Sequence, residues 1–173
     1  MKYRKKASRN KFVILSIIFT IIFGSLLHFL YEWSGNNPVV GLFSPVNESV
    51  WEHLKLIFYP ASICFFIGYF IHGKHEPNYF ISAFIGLLSG MIIIPALFYL
   101  YTAITGTDVL AIDISIFVIS AIVCFFTFQY LQKNYNFCHL STKSVLILWE
   151  LVFVLFVFFT IFPPDIALFQ EYK

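Results

Sequence analysis

Charge is what this chain has least of. Only 12% of its 173 residues are Asp, Glu, Lys or Arg, whereas 60% are hydrophobic and 21% aromatic. That is too little charge to cover a soluble domain, and mean hydropathy is +0.83. Several apolar runs reach the roughly 20 residues that a helix needs to span a bilayer. Cysteine is scarce as well. There are three, an odd number, and Cys64 and Cys124 sit inside apolar runs, which excludes a disulfide framework. No internal repeat is visible, so an inverted-repeat transporter has no support. His-Glu-x-x-His and Gly-x-Ser-x-Gly are absent, and with them two routes to hydrolysis.

Acids are missing from the first eleven residues, which carry Lys2, Arg4, Lys5, Lys6, Arg9 and Lys11. Because a long apolar run follows at once, this arm reads as a topogenic flank facing anionic lipid headgroups, not as a nucleic-acid arm. The run from Phe12 to Tyr31 has no small-residue cleavage site after it, so it reads as a retained first span and not a signal peptide. Asn36-Asn-Pro-Val-Val-Gly41 is turn chemistry. Ser44 followed by Pro45 reads as a helix start, and that helix is expected to run to about His72, with its span from about His53 and a kink near Pro60. Span three is expected over Tyr79–Tyr101, with Gly86 and Gly90 allowing close helix approach and Pro95 a bend. Spans four and five follow over about Val109–Leu131 and Lys143–Phe162, joined by a loop holding Cys138 and His139.

These spans predict an all-α bundle of five transmembrane helices in a plasma membrane, N-terminus in and C-terminus out. Residues 1–11 form the basic cytoplasmic arm, 12–162 the transmembrane domain and 163–173 a short external tail. In that orientation nine of the eleven Lys and Arg lie inside, leaving Lys55 and Lys173 out, as the positive-inside rule requires. The acids sort the other way. Glu32, Glu48, Glu52, Asp108, Asp113, Asp165 and Glu171 are outer, Glu76 is inner, and Glu150 is mid-membrane.

The polar block Asn47-Glu-Ser-Val-Trp-Glu-His-Leu-Lys55 stands out against this background. In a helix begun at Ser44, Glu48, Glu52, Lys55 and Tyr59 would share one face, with His53 about 100° away. His28 and Glu32 share a face near the end of span one, and Asp113 lies just inside span four. Carboxylates and imidazoles from separate helices at one depth are the inventory of a metal site, a proton relay or a cation pocket. The ligand or ion pocket is therefore expected to draw on His28, Glu32, Asn47, Glu48, Glu52, His53, Lys55, Asp113 and Glu150, and a divalent metal on His28, Glu48, Glu52, His53 and Asp113. The competing expectation is an interfacial belt: Glu48 on a helix dipole, Glu52 and Lys55 an i,i+3 pair, and Trp51, Tyr59, Tyr99 and Tyr101 at the headgroups. Glu150, within Leu146-Ile-Leu-Trp-Glu-Leu-Val, would carry a charge costing at least ~2.5 kcal/mol at that depth, so it is neutral, paired or facing water.

The Asn47–Lys55 block, Phe98-Tyr-Leu-Tyr-Thr102 and Phe162-Pro-Pro-Asp-Ile-Ala-Leu-Phe169 resemble a bacterial family of small multi-pass membrane proteins, a domain of unknown function. The resemblance covers nearly the whole chain and implies the fold without a mechanism. The family pattern carries His and Pro where this chain has Asp165 and Ala167. From the residues themselves, the expected function is binding or transport of a small cation or polar ligand in an outward-facing acidic and histidine pocket. The alternatives are an intramembrane metal-dependent hydrolase or transferase acting on a lipid-linked substrate, and an accessory structural subunit.

Overall fold

In hydrocarbon a backbone must satisfy its own hydrogen bonds, so the apolar runs fold as helices. The computed structural model describes residues 2–76, 78–135 and 141–171. Helix α1 spans Lys2–Trp33, and a short α2 follows at Pro38–Gly41. Helices α3 (Val50–His53) and α4 (Lys55–Ile71) meet at Leu54 and make one span. Then come α5 (Tyr79–Thr105), α6 (Leu110–Asn134) and α7 (Thr142–Ile161). Five helical segments are long and apolar enough to cross a membrane. Among the described residues there is no β-strand, only an isolated bridge between Ser49 and Glu171.

Helices α4 and α5 are the most buried of the five, and α1, α6 and α7 pack around them. The closest pairing joins α5 to α6, and the glycine pair explains it. A Cβ on Gly86 would stand 2.6 Å from the Cys124 carbonyl oxygen, and one on Gly90 would stand 2.8 Å from that of Ser120. Only glycine lets the two backbones approach this closely. A second close approach joins α1 to α4. Pro60 has no N–H, so the Leu56 carbonyl loses its helical partner, and that oxygen faces Gly24, where a Cβ would lie 2.5 Å away. Helix α7 is tied to α4 by the Trp149 Nε1–H, which donates to Ser62 Oγ at 2.9 Å.

The second span begins later than Ser44-Pro45. Its N-cap is Ser49, whose Oγ accepts the Glu52 N–H at 3.4 Å. Ser44 cannot cap a helix because α1 has taken its hydroxyl, which donates to the Leu27 carbonyl at 2.6 Å and accepts the Tyr31 N–H at 3.1 Å. The cap-plus-proline signal is used instead seven residues earlier: Asn37 Oδ1 accepts the Val39 N–H at 2.9 Å and Pro38 opens α2. Residues 42–49 are consequently a loop, and the face shared by Glu48, Glu52, Lys55 and Tyr59 does not form. Helix α1 also continues through the basic arm, and α7 is capped by Ser141, which accepts the Ser144 N–H at 3.1 Å. Cys138 and His139 lie outside the described residues.

Because successive spans reverse direction, the loops gather at two ends. Residues 34–49, 106–109 and 162–171 share one end with Glu32, Glu48, Glu52, Asp108, Asp113, Asp165 and Glu171. The basic arm, Lys74, Lys133 and Lys143 lie at the other.

Candidate metal centre

At the acidic end three side chains from three elements converge. His28 comes from the last turns of α1, His53 from the end of α3, and Glu48 from the loop before it. The loop is aimed by local bonds. Asn47 Oδ1 accepts the Ser49 N–H at 3.0 Å, closing a tight turn that presents Glu48, while Ser49 caps α3 and starts the helix that carries His53. The Ser49–Glu171 bridge and the stacking of Phe169 on Trp51, 4.8 Å between centroids, hold the same segment from the C-terminal side.

Glu48 Oε2 lies 3.3 Å from His53 Nε2 and 3.6 Å from His28 Nε2, and the two ring nitrogens are 3.3 Å apart. His53 Nδ1 stands 2.9 Å from the Ser49 carbonyl. A carbonyl only accepts, so Nδ1 carries a proton; Nε2 then either donates a second proton to Glu48 or, with the ring neutral, turns a lone pair toward its two neighbours. A backbone carbonyl on the far nitrogen is the arrangement that orients metal-binding imidazoles. A single proton can bridge one of the three contacts. A cation meets all three lone pairs at once. Its fit can be checked against the distances: a tetrahedral ion with bonds of about 2.0–2.1 Å spaces its ligands roughly 3.3–3.4 Å apart. The point equidistant from the three atoms lies about 2.0 Å from each, given edges of 3.3, 3.3 and 3.6 Å. The donor set fits a zinc-type ion.

Hydrogen bonds from His28 and then His53 hold the Glu48 carboxyl below the ordinary carboxylate range, against a partial desolvation that pushes the other way. Glu48 is 65% exposed, so the centre opens outward from the bundle. Toward the bundle interior it is closed. One turn below His28, Gly24 packs against the Leu56 carbonyl and the Phe117 ring, where a Cβ would lie 2.5 and 2.6 Å away.

The remaining expected residues lie elsewhere. Glu52 does not join the imidazoles. It is buried, its Oε2 accepts Lys55 Nζ at 2.6 Å and the Val46 N–H at 3.0 Å, and its Oε1 accepts the Thr160 hydroxyl at 3.1 Å. Lys55, 0% exposed, spends its other two protons on the Gly41 and Ser44 carbonyls at 2.8 and 3.3 Å. This pair pins the loop to α4 and is saturated. Asp113 is within electrostatic reach of His53 but is not one of the three atoms that lie within 4.8 Å of one another. Its Oδ1 accepts the Tyr101 hydroxyl at 2.5 Å. Glu32 is exposed in the last turn of α1, Asn47 positions Glu48, and Glu150 lines a separate groove on α7.

Ser49 and Thr160 carry parts that the sequence reading did not give them. For Ser49 the signal was present: Ser49-Val-Trp-Glu52 is a capping-box pattern and marks the true helix start. Thr160, 108 positions from Glu52, had no signal.

Five antiparallel helical spans with a polar centre at one end define a multi-pass helical membrane protein. Residues 1–172 match a family of unknown function (DUF6512), and the chain belongs to that family. No curated protein matches it, and no solved structure does.

Proposed function

We propose that this protein binds a divalent transition metal of zinc type at the membrane surface through His28, Glu48 and His53. The observation that carries the reading is the triangle of 3.3, 3.3 and 3.6 Å between their ligand atoms. The Ser49 carbonyl behind His53 supports it, because it leaves the correct nitrogen free. The close packing at Gly24 favours binding over passage through the bundle. With the basic flanks inside by the positive-inside rule, the centre faces the exterior of a plasma membrane, and an impermeant thiol reagent should then label Asn37→Cys in intact cells.

The test is metal titration of the purified full-length protein in detergent. One equivalent of Zn²⁺ should bind, and Co²⁺ should give the intense visible bands of a tetrahedral ion. His28→Ala and His53→Ala should each abolish both signals. Equal uptake by parent and variants would sink the reading. A second reading, metal-assisted hydrolysis, is favoured by one observation: three protein ligands leave a fourth position free on the side where Glu48 is exposed.

A further inference from the structure

A groove of about 800 Å³ lies on another side of α4, between α1, α4 and α7. It descends from Phe43, in the loop before α3, to Glu150 near the middle of α7. Its walls are aromatic: Phe23 from α1, Phe43, Tyr59 and Phe66 from α4, and Trp149 and Phe153 from α7. The rings lie in two contact groups, Phe43 5.3 Å from Tyr59 and 6.4 Å from Phe153, and Phe66 5.3 Å from Trp149, between centroids.

Most of the polar groups here are already engaged. The Tyr59 hydroxyl donates to the Leu42 carbonyl at 2.7 Å, and Ser62 Oγ accepts the Trp149 Nε1–H at 2.9 Å. Glu150 is the exception. It lines the groove, is exposed there, and makes no hydrogen bond or ion pair among the described residues. At hydrocarbon depth this carboxyl is neutral unless a cation meets it, and no described residue supplies one. The partner must itself enter hydrocarbon, which excludes small hydrated ions. A cation shielded by apolar substituents can do so, and aromatic rings attract that kind of cation.

We propose that the groove binds a lipophilic monovalent cation of the quaternary ammonium or phosphonium class, its charge met by Glu150 and its apolar body packed against the rings. Charge complementarity at Glu150 decides for this occupant over an ordinary lipid chain, beside which the carboxyl would stay neutral and unpaired.

Tetraphenylphosphonium is the probe. Calorimetric titration of the purified full-length protein in detergent should show saturable binding of about one equivalent. Empty micelles should show none, and neutral triphenylphosphine oxide should not compete. Glu150→Gln should weaken binding at least tenfold with an unchanged size-exclusion profile and thermal melt, and Phe43→Leu should weaken it about threefold. Unchanged affinity in Glu150→Gln, or equal competition by the neutral analogue, would overturn the proposal. So would a parent protein that ignores the probe while Glu150→Gln alters its oligomeric state, since the carboxyl would then serve a second copy. Should Glu150→Gln fail to fold, an unchanged affinity in Phe43→Leu overturns the proposal on its own.

Discussion

Two clusters grow from the same nine residues and end in opposite states. Glu52 and Lys55 form a pair in which the ammonium has three acceptors for three protons and the carboxylate has three donors. The ammonium has no proton left for another partner. Glu48 and His53, each within a turn of that pair, meet His28 with their acceptor atoms facing one another and the outside. A saturated buried pair holds a loop in place, and an unsaturated exposed triad waits for a cation. The first is what makes the second possible, because Lys55 fixes the carbonyls of Gly41 and Ser44 and so the path of the chain toward Glu48.

Breaking the saturated pair should have the largest effect. Lys55→Ala would strand the Glu52 carboxylate at 2% exposure, and removal of one partner of a buried pair costs about 3–5 kcal/mol. Thermal melting of the detergent-solubilised protein should show the loss, and Lys55→Met should show it too, since volume without charge does not help Glu52. A variant that melts with the parent would mean the pair is a bystander. His53→Ala should reverse the pattern. Its stability should change by under about 1 kcal/mol because the ring is partly exposed, whereas Zn²⁺ affinity should fall by more than the ~100-fold upper end seen for outer-sphere residues.

Asn47→Ala tests the hinge between the clusters. Its side chain touches no ligand atom but closes the turn that presents Glu48. A positioning residue of this kind should lower metal affinity about tenfold, with Asn47→Asp restoring most of it because an oxygen at that position still accepts the Ser49 N–H. If Asn47→Ala lowered stability and left the metal titration untouched, the turn would serve folding alone.

How far these features could be read in the sequence depends on their range. Five spans were legible because each is a continuous apolar run, and the Gly86 and Gly90 contact because four-residue spacing maps onto one helix face. The start of the second span was not, since two segments carry cap-and-proline chemistry and only tertiary contacts decide between them: Ser44 was claimed by Leu27 and Tyr31. That shift moved Glu48 off the helix and separated it from Glu52. The sequence grouped five candidate ligands, and three lie together. His28 and His53 are 25 positions apart, and their meeting depends on α1 packing against α4 where Gly24 permits it. Residue types announced the chemistry, and only the backbone path could sort it.

The smallest effect is expected at the boundary of the two regions. Asp113 accepts the Tyr101 hydroxyl, which in turn accepts the Val109 N–H at 3.1 Å and so ties the start of α6 to the end of α5. Read this way, Asp113 belongs with the structural bonds, although its charge reaches His53. Tyr101→Phe removes both of these hydrogen bonds and leaves Asp113 in place, so stability should fall by roughly 1–2 kcal/mol, the net worth of two hydrogen bonds of partly exposed groups. Zn²⁺ affinity should change by no more than about threefold, because a carboxylate outside the ligand set acts only through screened charge. A tenfold or greater loss of affinity in Tyr101→Phe, with the same loss in Asp113→Asn, would move Asp113 across the boundary. The centre would then be a four-part site in which Tyr101 holds an outer carboxylate in register with His53, and the contrast between the two clusters would run between Glu52 and Asp113.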